Sequence, residues 1–488
     1  MIRTFRPQCR VLITKNVQRS GVASEQAGVF DITPWLGDTG TVQYRKSLYQ
    51  PCGSIVIVIP DRPFGINGRT DSLYGLIEPT DGIEIYMARS PEQYGWNESA
   101  VGNCPALARG FVRSIARDEK IGGDGKPSRN VIIQGQDYGA VFDMLRVWNL
   151  KTAVLGYPDI FDAFYKYGVD YQPLPTAKFM QIFVDLANQW LDAIYNKGGW
   201  TWRIDTDFRV SEGTHVMQGI NGQEGPLWGL MLREMDSPWN ELFLEDRQQN
   251  PTLVYRPTPW RSYAANGNSL TGSYLPQGTQ TITAESVEIN DRDIVMLSPS
   301  RSDADVQNMY WLNNPTAIQG LVINQVMAAA VRGENNELIF DTGHEHNDPT
   351  IYGERLFTGQ FRQWPNETQQ NPIGAAKASW EANNNTHFPA WWKQRMLWLH
   401  QANRDNSIFE QGSMLIKGNE RVRIGQYIVV LRGNTQWESY AQDVVHSFQP
   451  YQSYTTQISF GRGTGFWART LNPASPTFQE GRRGVYRS

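Results

Sequence analysis

Gly82-Ile-Glu-Ile-Tyr-Met-Ala-Arg89 alternates Ile83, Ile85 and Met87 with Glu84, Tyr86 and Ala88. A period of two is that of a β-strand with one dry face and one wet face. Working outward from it, the neighbouring segments read the same way. Cys9 to Asn16 sets Val11 and Ile13 against Leu12 and Thr14, and Val42 to Tyr49 continues in an extended, polar-interrupted style. Ile55 to Ile59 is β-branched throughout, which suits a strand buried on both sides. Gly110 to Arg117 and Asn130 to Gln136 add two strands, joined by a polar segment with the turn Gly122-Gly-Asp-Gly125. Short strands with frequent turns predict a small antiparallel barrel or sandwich over residues 1–150.

The period then changes. Ala177 to Tyr195 places Phe179, Ile182, Phe183, Leu186, Trp190 and Ile194 on one helical stripe. Residues 200–262 mix extended and helical signals, and Tyr263 to Gly278, rich in Gly, Ser, Asn and Tyr, reads as a loop, so 151–280 is a helical and mixed α/β middle domain. Strands return over Thr281 to Val295, followed by amphipathic helices at Thr316 to Val331 and Pro389 to Asn403 with a polar connection from Gly333 to Pro372 between them. Four closing strands follow, at Ser413 to Lys417, Val422 to Leu431, Glu438 to Phe448 and Tyr451 to Phe460; the last alternates Tyr454, Thr456, Ile458 and Phe460. Residues 281–488 are therefore read as a second barrel with a helical insertion at about 312–410. The fold class is α+β, mainly β, with two small antiparallel barrels at the ends of the chain enclosing a helical and mixed middle.

The 488 residues exceed one ordinary core, and 40% hydrophobic with 12% aromatic content is that of a folded chain. A net charge of −4, with both signs mixed along the length, gives no basic field to hold nucleic acid. Cys9, Cys52 and Cys104 lie far apart without a C-x-x-C pair, which fits a reducing compartment. The first ten residues carry Arg3, Arg6 and Arg10 with no apolar run behind them, and the longest apolar run, Ser54 to Ile59, falls far short of the roughly 20 residues that span a bilayer. A soluble chain made in a cytoplasm, without membrane anchor, is expected.

The chemistry-bearing candidates fail their own tests. Gly122 to Ser128 superficially resembles a phosphate loop, but Pro127 follows Lys126 where Ser or Thr is needed and Lys120 replaces the first glycine, so a hairpin turn is the better reading. His344-Glu345-His346 with Asp348 lacks the i, i+4 spacing that presents two imidazoles to one zinc. His215, His387, His400 and His446 are scattered, with His446 read as a packed or edge strand residue. No G-x-S-x-G elbow occurs. Trp190, Trp391, Trp392 and Trp398 lie in helical patterns where core packing is the ordinary explanation. No catalytic, cofactor or metal residue is assigned, and no enzyme is expected.

Three stretches together resemble the baseplate hub family of contractile phage tails, related to late control protein D and to the hub-like part of type VI secretion spikes. The first is Gly75 to Arg89 followed by Gly110-Phe-Val-Arg-Ser-Ile and Val131-Ile-Ile-Gln-Gly-Gln-Asp137. The second runs from Leu227-Trp-Gly through Pro238-Trp-Asn-Glu-Leu-Phe to Pro251-Thr-Leu-Val-Tyr-Arg-Pro-Thr-Pro-Trp260. The third joins Arg421-Val-Arg-Ile-Gly-Gln-Tyr-Ile, Tyr440 to Phe448 and Tyr454 to Gly463. Their joint order carries the resemblance; the polar stretch 333–372 has no counterpart in it.

The resemblance implies a homotrimer whose six barrels form a ring of approximate sixfold symmetry. That ring would join the tail tube protein to the central spike protein, contact baseplate wedge proteins and the tape measure protein, and leave a channel through which DNA passes without being bound. The place implied is the virion tail, assembled in the host cytoplasm. With only residues 464–488 beyond Gly463, wall cutting is expected of a partner. The rival reading is a cell-wall-degrading or carbohydrate-binding tail protein, since any chain with 49 acidic residues offers two carboxylates somewhere.

Overall fold

The computed structural model describes residues 6–15, 28–61, 63–66, 69–121, 125, 127–147, 174–194, 202–210, 214–215, 225–247, 249–260, 284–313, 346–360, 391, 394–432 and 435–463. The chain is mainly β. Its first strands are β1 (Gln8–Lys15), β2 (Gly28–Asp31), β3 (Thr41–Ser47), β4 (Ser54–Pro60), β5 (Gly82–Ala88), β6 (Ala108–Ile121) and β7 (Pro127–Asp137). Helices α1 (Gly139–Met144), α2 (Thr176–Ile194) and α3 (Leu227–Glu234) follow, with strands β8 (Asp205–Phe208), β9 (Asn240–Asp246) and β10 (Pro251–Pro257). The last group is β11 (Ser286–Asn290), β12 (Ile294–Ser300), β13 (Glu410–Lys417), β14 (Tyr427–Arg432), β15 (Thr435–Gln449) and β16 (Ser453–Gly463).

Strands from both ends of the chain share one 13-stranded sheet, in the order β12-β13-β16-β15-β3-β4-β7-β6-β5-β1-β2, with β14 also on β15 and β11 on β14. The two closed barrels expected from the sequence are therefore replaced, among the described residues, by a single open path. The cause is the length of β15. Its first part pairs with β14, from Arg432↔Thr435 to Tyr427↔Tyr440, and its second part leaves that partner and pairs with β3, from Asp443↔Ser47 to Phe448↔Val42.

Within this sheet one five-strand arrangement occurs twice. The run β3-β4-β7-β6-β5 and the run β12-β13-β16-β15-β14 have the same sequence order and the same antiparallel neighbours. The likeness extends to irregularities. Strand β6 bulges between Val112 and Ser114 against β7, and β15 bulges between Ala441 and Asp443 against β16. Beside each bulge sits a left-handed residue, Thr80 (φ 78°) in one half and Gly425 (φ 71°) in the other. Thr80 N–H donates to the Val112 carbonyl at 2.7 Å and Gly425 N–H to the Ala441 carbonyl at 2.9 Å. Bulges bend a strand and end a pairing; here each one releases the outer edge of its strand from its first neighbour.

The described residues form three cores. The first lies under β1 to β7 and takes Val11, Ile13, Ile55, Ile57, Ile59, Ile83, Ile85 and Ile133; the second, under β11 to β16, takes Met414, Ile416, Ile428, Trp437, Val444, Ile458 and Phe460. In the third, α2 and α3 lie with β8, β9 and β10, and Phe111 and Tyr138 reach into it from the first sheet. Each isoleucine buried this way contributes about 1.5–3 kcal/mol.

Two strand expectations change on contact with these cores. Strand β5 has no wet face: Tyr86 and Ala88 are buried and Glu84 half-buried, because the third core covers that side. A Cβ on Gly82 would overlap the Trp202 ring, and Trp202 in turn packs 5.5 Å from Phe111. Strand β4 shows the opposite correction, with Ile55, Ile57 and Ile59 fully buried but Val56 and Val58 only partly so. The helix expected at 177–195 is present as α2, and residues 394–403 are helical, as expected within 389–403. The expected helix 316–331 and the loop 263–278 lie outside the described residues. Of the polar stretch 333–372, residues 346–360 are described: Asp348 caps a helix at Pro349–Tyr352, and Leu356–Gln360 pairs in parallel with Met309–Asn313.

Ile85 and Ile458 are both fully buried, whereas Gln457 is exposed on the far face of its strand. Aspartate at either isoleucine should lower the unfolding free energy by several kcal/mol, as for a buried unpaired charge, and Gln457→Glu should leave it within about 0.5 kcal/mol of the parent. Chemical denaturation of the three variants measures this; equal midpoints would contradict the assignment of faces.

Candidate assembly interface

The junction of β3 with β15 joins the two repeats. Leu48 N–H donates to the Gln442 carbonyl at 2.8 Å, which sets the phase of this ladder. The even-numbered residues of β3 turn their backbone groups toward β15, and the odd-numbered ones toward β4. On the core side Tyr44 stands opposite His446 and Val42 opposite Phe448, all buried. On the other side Arg45 Nη2 lies 2.9 Å from Asp443 Oδ2. His446 is a packed strand residue: Nε2 lies 3.3 Å from the Val422 carbonyl, Nδ1 faces the hydroxyls of Tyr454 and Thr456, and burial pushes its pKa down to about 3.

Beneath this junction, buried charges tie β3 to β7 and fasten the middle layer to both halves. Lys46 Nζ lies 2.5 Å from Asp137 Oδ2, with both residues buried, and Tyr44 O–H donates to the same carboxylate at 3.2 Å. On β9, Asp246 accepts the Arg109 backbone N–H at 3.1 Å, with the Arg109 guanidinium 3.8 Å away. Burial first, opposed by Arg109, pushes the Asp246 carboxyl up to about 7. Glu241 accepts from Arg256 Nε at 2.6 Å and from Tyr440 O–H at 2.7 Å, while Arg256 Nη2 donates to the Gly425 carbonyl at 2.6 Å. Arg423 donates to the carbonyls of Leu107 and Ala106. The small pocket here, lined by Tyr44, Lys46, Asp246, Arg423, Val444 and His446, is thus walled by groups already engaged with one another. Such an arrangement fixes the mutual placement of three layers.

Among the described residues several strand edges carry no neighbour, and two of them occupy equivalent places in the repeats: β12 pairs with β13 alone, and beyond Val112 strand β6 pairs with β7 alone. Ile121 at the end of β6 is 79% exposed and Val295 on β12 is 60% exposed. The sheet face turned away from the cores is polar and nearly neutral, with Gln43, Gln134, Ser413, Ser447 and Gln457 at its surface and Arg45 compensated by Asp443.

The candidates weighed from sequence do not meet at this junction. Residues 122–124 and 126 of the glycine-rich segment lie outside the described residues, and its flanks close a hairpin at Ile121↔Pro127. His344 and Glu345 lie outside the described residues; His346 Nδ1 is 2.8 Å from Asp405 Oδ1, and Asp348 is spent on its helix cap. Trp391 and Trp398 are core residues, with Trp398 stacked on Trp260 at 5.2 Å, Trp190 packs against the third core, and Trp392 lies outside the described residues. Burial pushes the thiols of Cys52 and Cys104 up to about 11 and 12. No described helix is long and apolar enough to cross a membrane. Sequence reasoning missed Lys46, Asp137, Arg109 and Asp246. Only the presence of charges inside strand-forming runs, as in Arg45-Lys46, marks them.

The chain matches no family model and no curated protein. Among solved structures it is similar to the tail protein from Neisseria meningitidis MC58, at 10% identity over 93% of this chain and 96% of that one, with a TM-score of 0.42. It is also similar to the 43 kDa tail protein of prophage MuSo2 from Shewanella oneidensis, at 10% identity over 93% and 98%, with a TM-score of 0.41. A third is a component of the type VI secretion system of E. coli, at 7% identity over 86% and 72%, with a TM-score of 0.35.

Asp246 carries a testable pH signature. Its folded pKa of about 7 lies above the ordinary value near 4, so between those limits the folded chain holds a proton that the unfolded chain has released. Its contribution to stability therefore falls as pH rises from about 4 to 7, by at most ~1.4 kcal/mol per unit. Asp246→Asn keeps the acceptor but cannot ionise, so its stability should decline less than the parent's between pH 4.5 and 7. Denaturation midpoints at the two pH values compare them; parallel declines would show that this carboxyl does not titrate as described.

Proposed function

We propose that this chain is a structural component of a phage tail baseplate, its central hub, and not an enzyme. Three copies form a ring of six similar modules that joins the tail tube to the central spike. Residues 1–150 and 281–488 supply the modules, and 151–280 the layer that braces them. The observation that carries the reading is the β3–β15 junction: two repeats of one chain are joined edge to edge by a head-to-tail contact. A head-to-tail contact between like units closes into a ring when its rotation divides a full turn. Two modules per chain and three chains make six. The motif order that resembles the baseplate hub family supports the same reading.

In such a ring the polar face bearing Gln43, Gln134, Ser447 and Gln457 is the lumen wall. A wall rich in amides and hydroxyls, with Arg45 neutralised by Asp443 and Lys417 3.6 Å from Asp293, lets a polyanion pass without the multiple phosphate contacts that would retain it. The partners are the tail tube, the spike, the wedge proteins and the tape measure protein, and the location is the virion tail after assembly in the host cytoplasm. The arrangement serves DNA ejection by shape and needs no bond-making group.

Light scattering on the purified chain tests this. The expected mass at high protein concentration is three times the 55.5 kDa of one chain, with no hydrolysis of peptidoglycan or oligosaccharide. A mass that stays monomeric, or one that is hexameric, would overturn the hub reading.

A further inference from the structure

The repeat defines a second junction that one chain cannot make. Strand β15, past its bulge, takes β3 of the other repeat as neighbour. Among the described residues its counterpart β6, past the equivalent bulge, has an open edge, and the counterpart of β3, strand β12, has one too. We infer that residues 114–119 of β6 pair antiparallel with β12 of another copy of this chain. This inference rests on the ring reading for the number of copies but not for the contact itself.

The internal registers fix the pairing. Ile133 faces Ile115 and Ile458 faces Val444 across the long hairpins, which equates Ser114 with Asp443 and Arg117 with His446. Val42 faces Ile57 and Leu297 faces Met414, each partner in turn facing one of those isoleucines, which equates Leu297 with Val42 and Ser300 with Arg45. His446 opposite Tyr44 then becomes Arg117 opposite Pro299, and Val445 opposite Arg45 becomes Ala116 opposite Ser300.

Three features of the side chains agree with this register. The internal ion pair Arg45–Asp443 is replaced at the new junction by Ser300 and Ser114, so neither charge is left without the other. Continuing the two strands brings Ile121 to Val295, the most exposed apolar side chains on these edges, 79% and 60% exposed in the single chain. Burying such a pair is what a cross-strand contact supplies. Pro299 takes the place of Tyr44, whose backbone turns toward the junction, so the contact between copies lacks one donor that the internal one has. With Arg117, Asp118 and Glu119 along β6, the edges are also charged and proline-blunted, which discourages pairing with the wrong strand. The junction between copies is thus the more polar and weaker of the two, suited to forming at assembly.

Ala116 and Ser300 fall on a non-hydrogen-bonded pair, where Cα atoms approach to about 4.5 Å, within disulfide range. In the full chain carrying Cys52→Ser, the double variant Ala116→Cys with Ser300→Cys should give disulfide-linked multimers under mild oxidation at least tenfold more than either single variant. Ala116→Cys with Met296→Cys, shifted along the strand, should give at least tenfold less than the matched pair. A trimer by light scattering without the matched cross-link would overturn this pairing while leaving the hub reading in place. The matched cross-link on an assembly that is not trimeric would uphold the pairing and overturn the hub reading. A monomer without cross-links at high concentration would overturn both.

Discussion

A strand edge is a row of N–H and C=O groups that must find partners or stay in water, and the way β15 meets that demand organises the molecule. Its 15 residues serve three neighbours: β16 along one edge, then β14 and β3 in succession along the other. The bulge after Ala441 makes the exchange possible, because one extra residue turns the strand away from β14 as β3 arrives. Two sets of strands, separated in the chain by the whole middle layer, thereby become one sheet. The same bulge in β6 finds no β3-like partner among the described residues.

The buried charges make this arrangement specific. Lys46 with Asp137, and Arg256 with Glu241, lose hydration on folding, and the attraction regained in the interior roughly offsets that loss. Their net effect on stability is small, and each pair lies within one layer, β3 with β7 and β9 with β10, but removing one partner leaves a buried charge unpaired at about 3–5 kcal/mol. Hydrophobic contact alone would let the middle layer slide over the sheet. Asp246 under Arg109 and Glu241 between Arg256 and Tyr440 hold it to one position.

Much of the local structure was legible in the residues. Alternation at Ile83, Ile85 and Met87 and at Tyr454, Thr456, Ile458 and Phe460 marks strands, and the stripe from Phe179 to Trp190 marks a helix. Periodicity reports which face of an element is dry but not which element covers the other face. That is why the alternation alone marks Tyr86 as wet, although it is buried on the side of β5 where Trp202 covers Gly82. Nor does periodicity report neighbours in a sheet, so the junction of β3 with β15, nearly 400 residues apart at Arg45 and Asp443, was invisible. That the two ends are alike was expected, but the correspondence between their residues was not legible, for a related reason. Equivalent places hold different side chains, Thr80 against Gly425 and Ser300 against Arg45, and only the backbone geometry recurs. The buried ion pairs have partners as distant as Arg109 and Asp246, 137 positions apart, so no spacing reveals them.

Amide hydrogen exchange on the assembled protein tests most directly the claim that the internal junction is repeated between copies. The amides of Leu297, Ile115, Arg117 and Glu119, which point away from β13 and β7, should exchange rapidly in dilute, dissociated chain and become protected in the assembly, approaching the protection that Val42, Tyr44 and Lys46 show in both states. Free exchange of those four amides in a stable assembly, with Val42, Tyr44 and Lys46 protected, would contradict it.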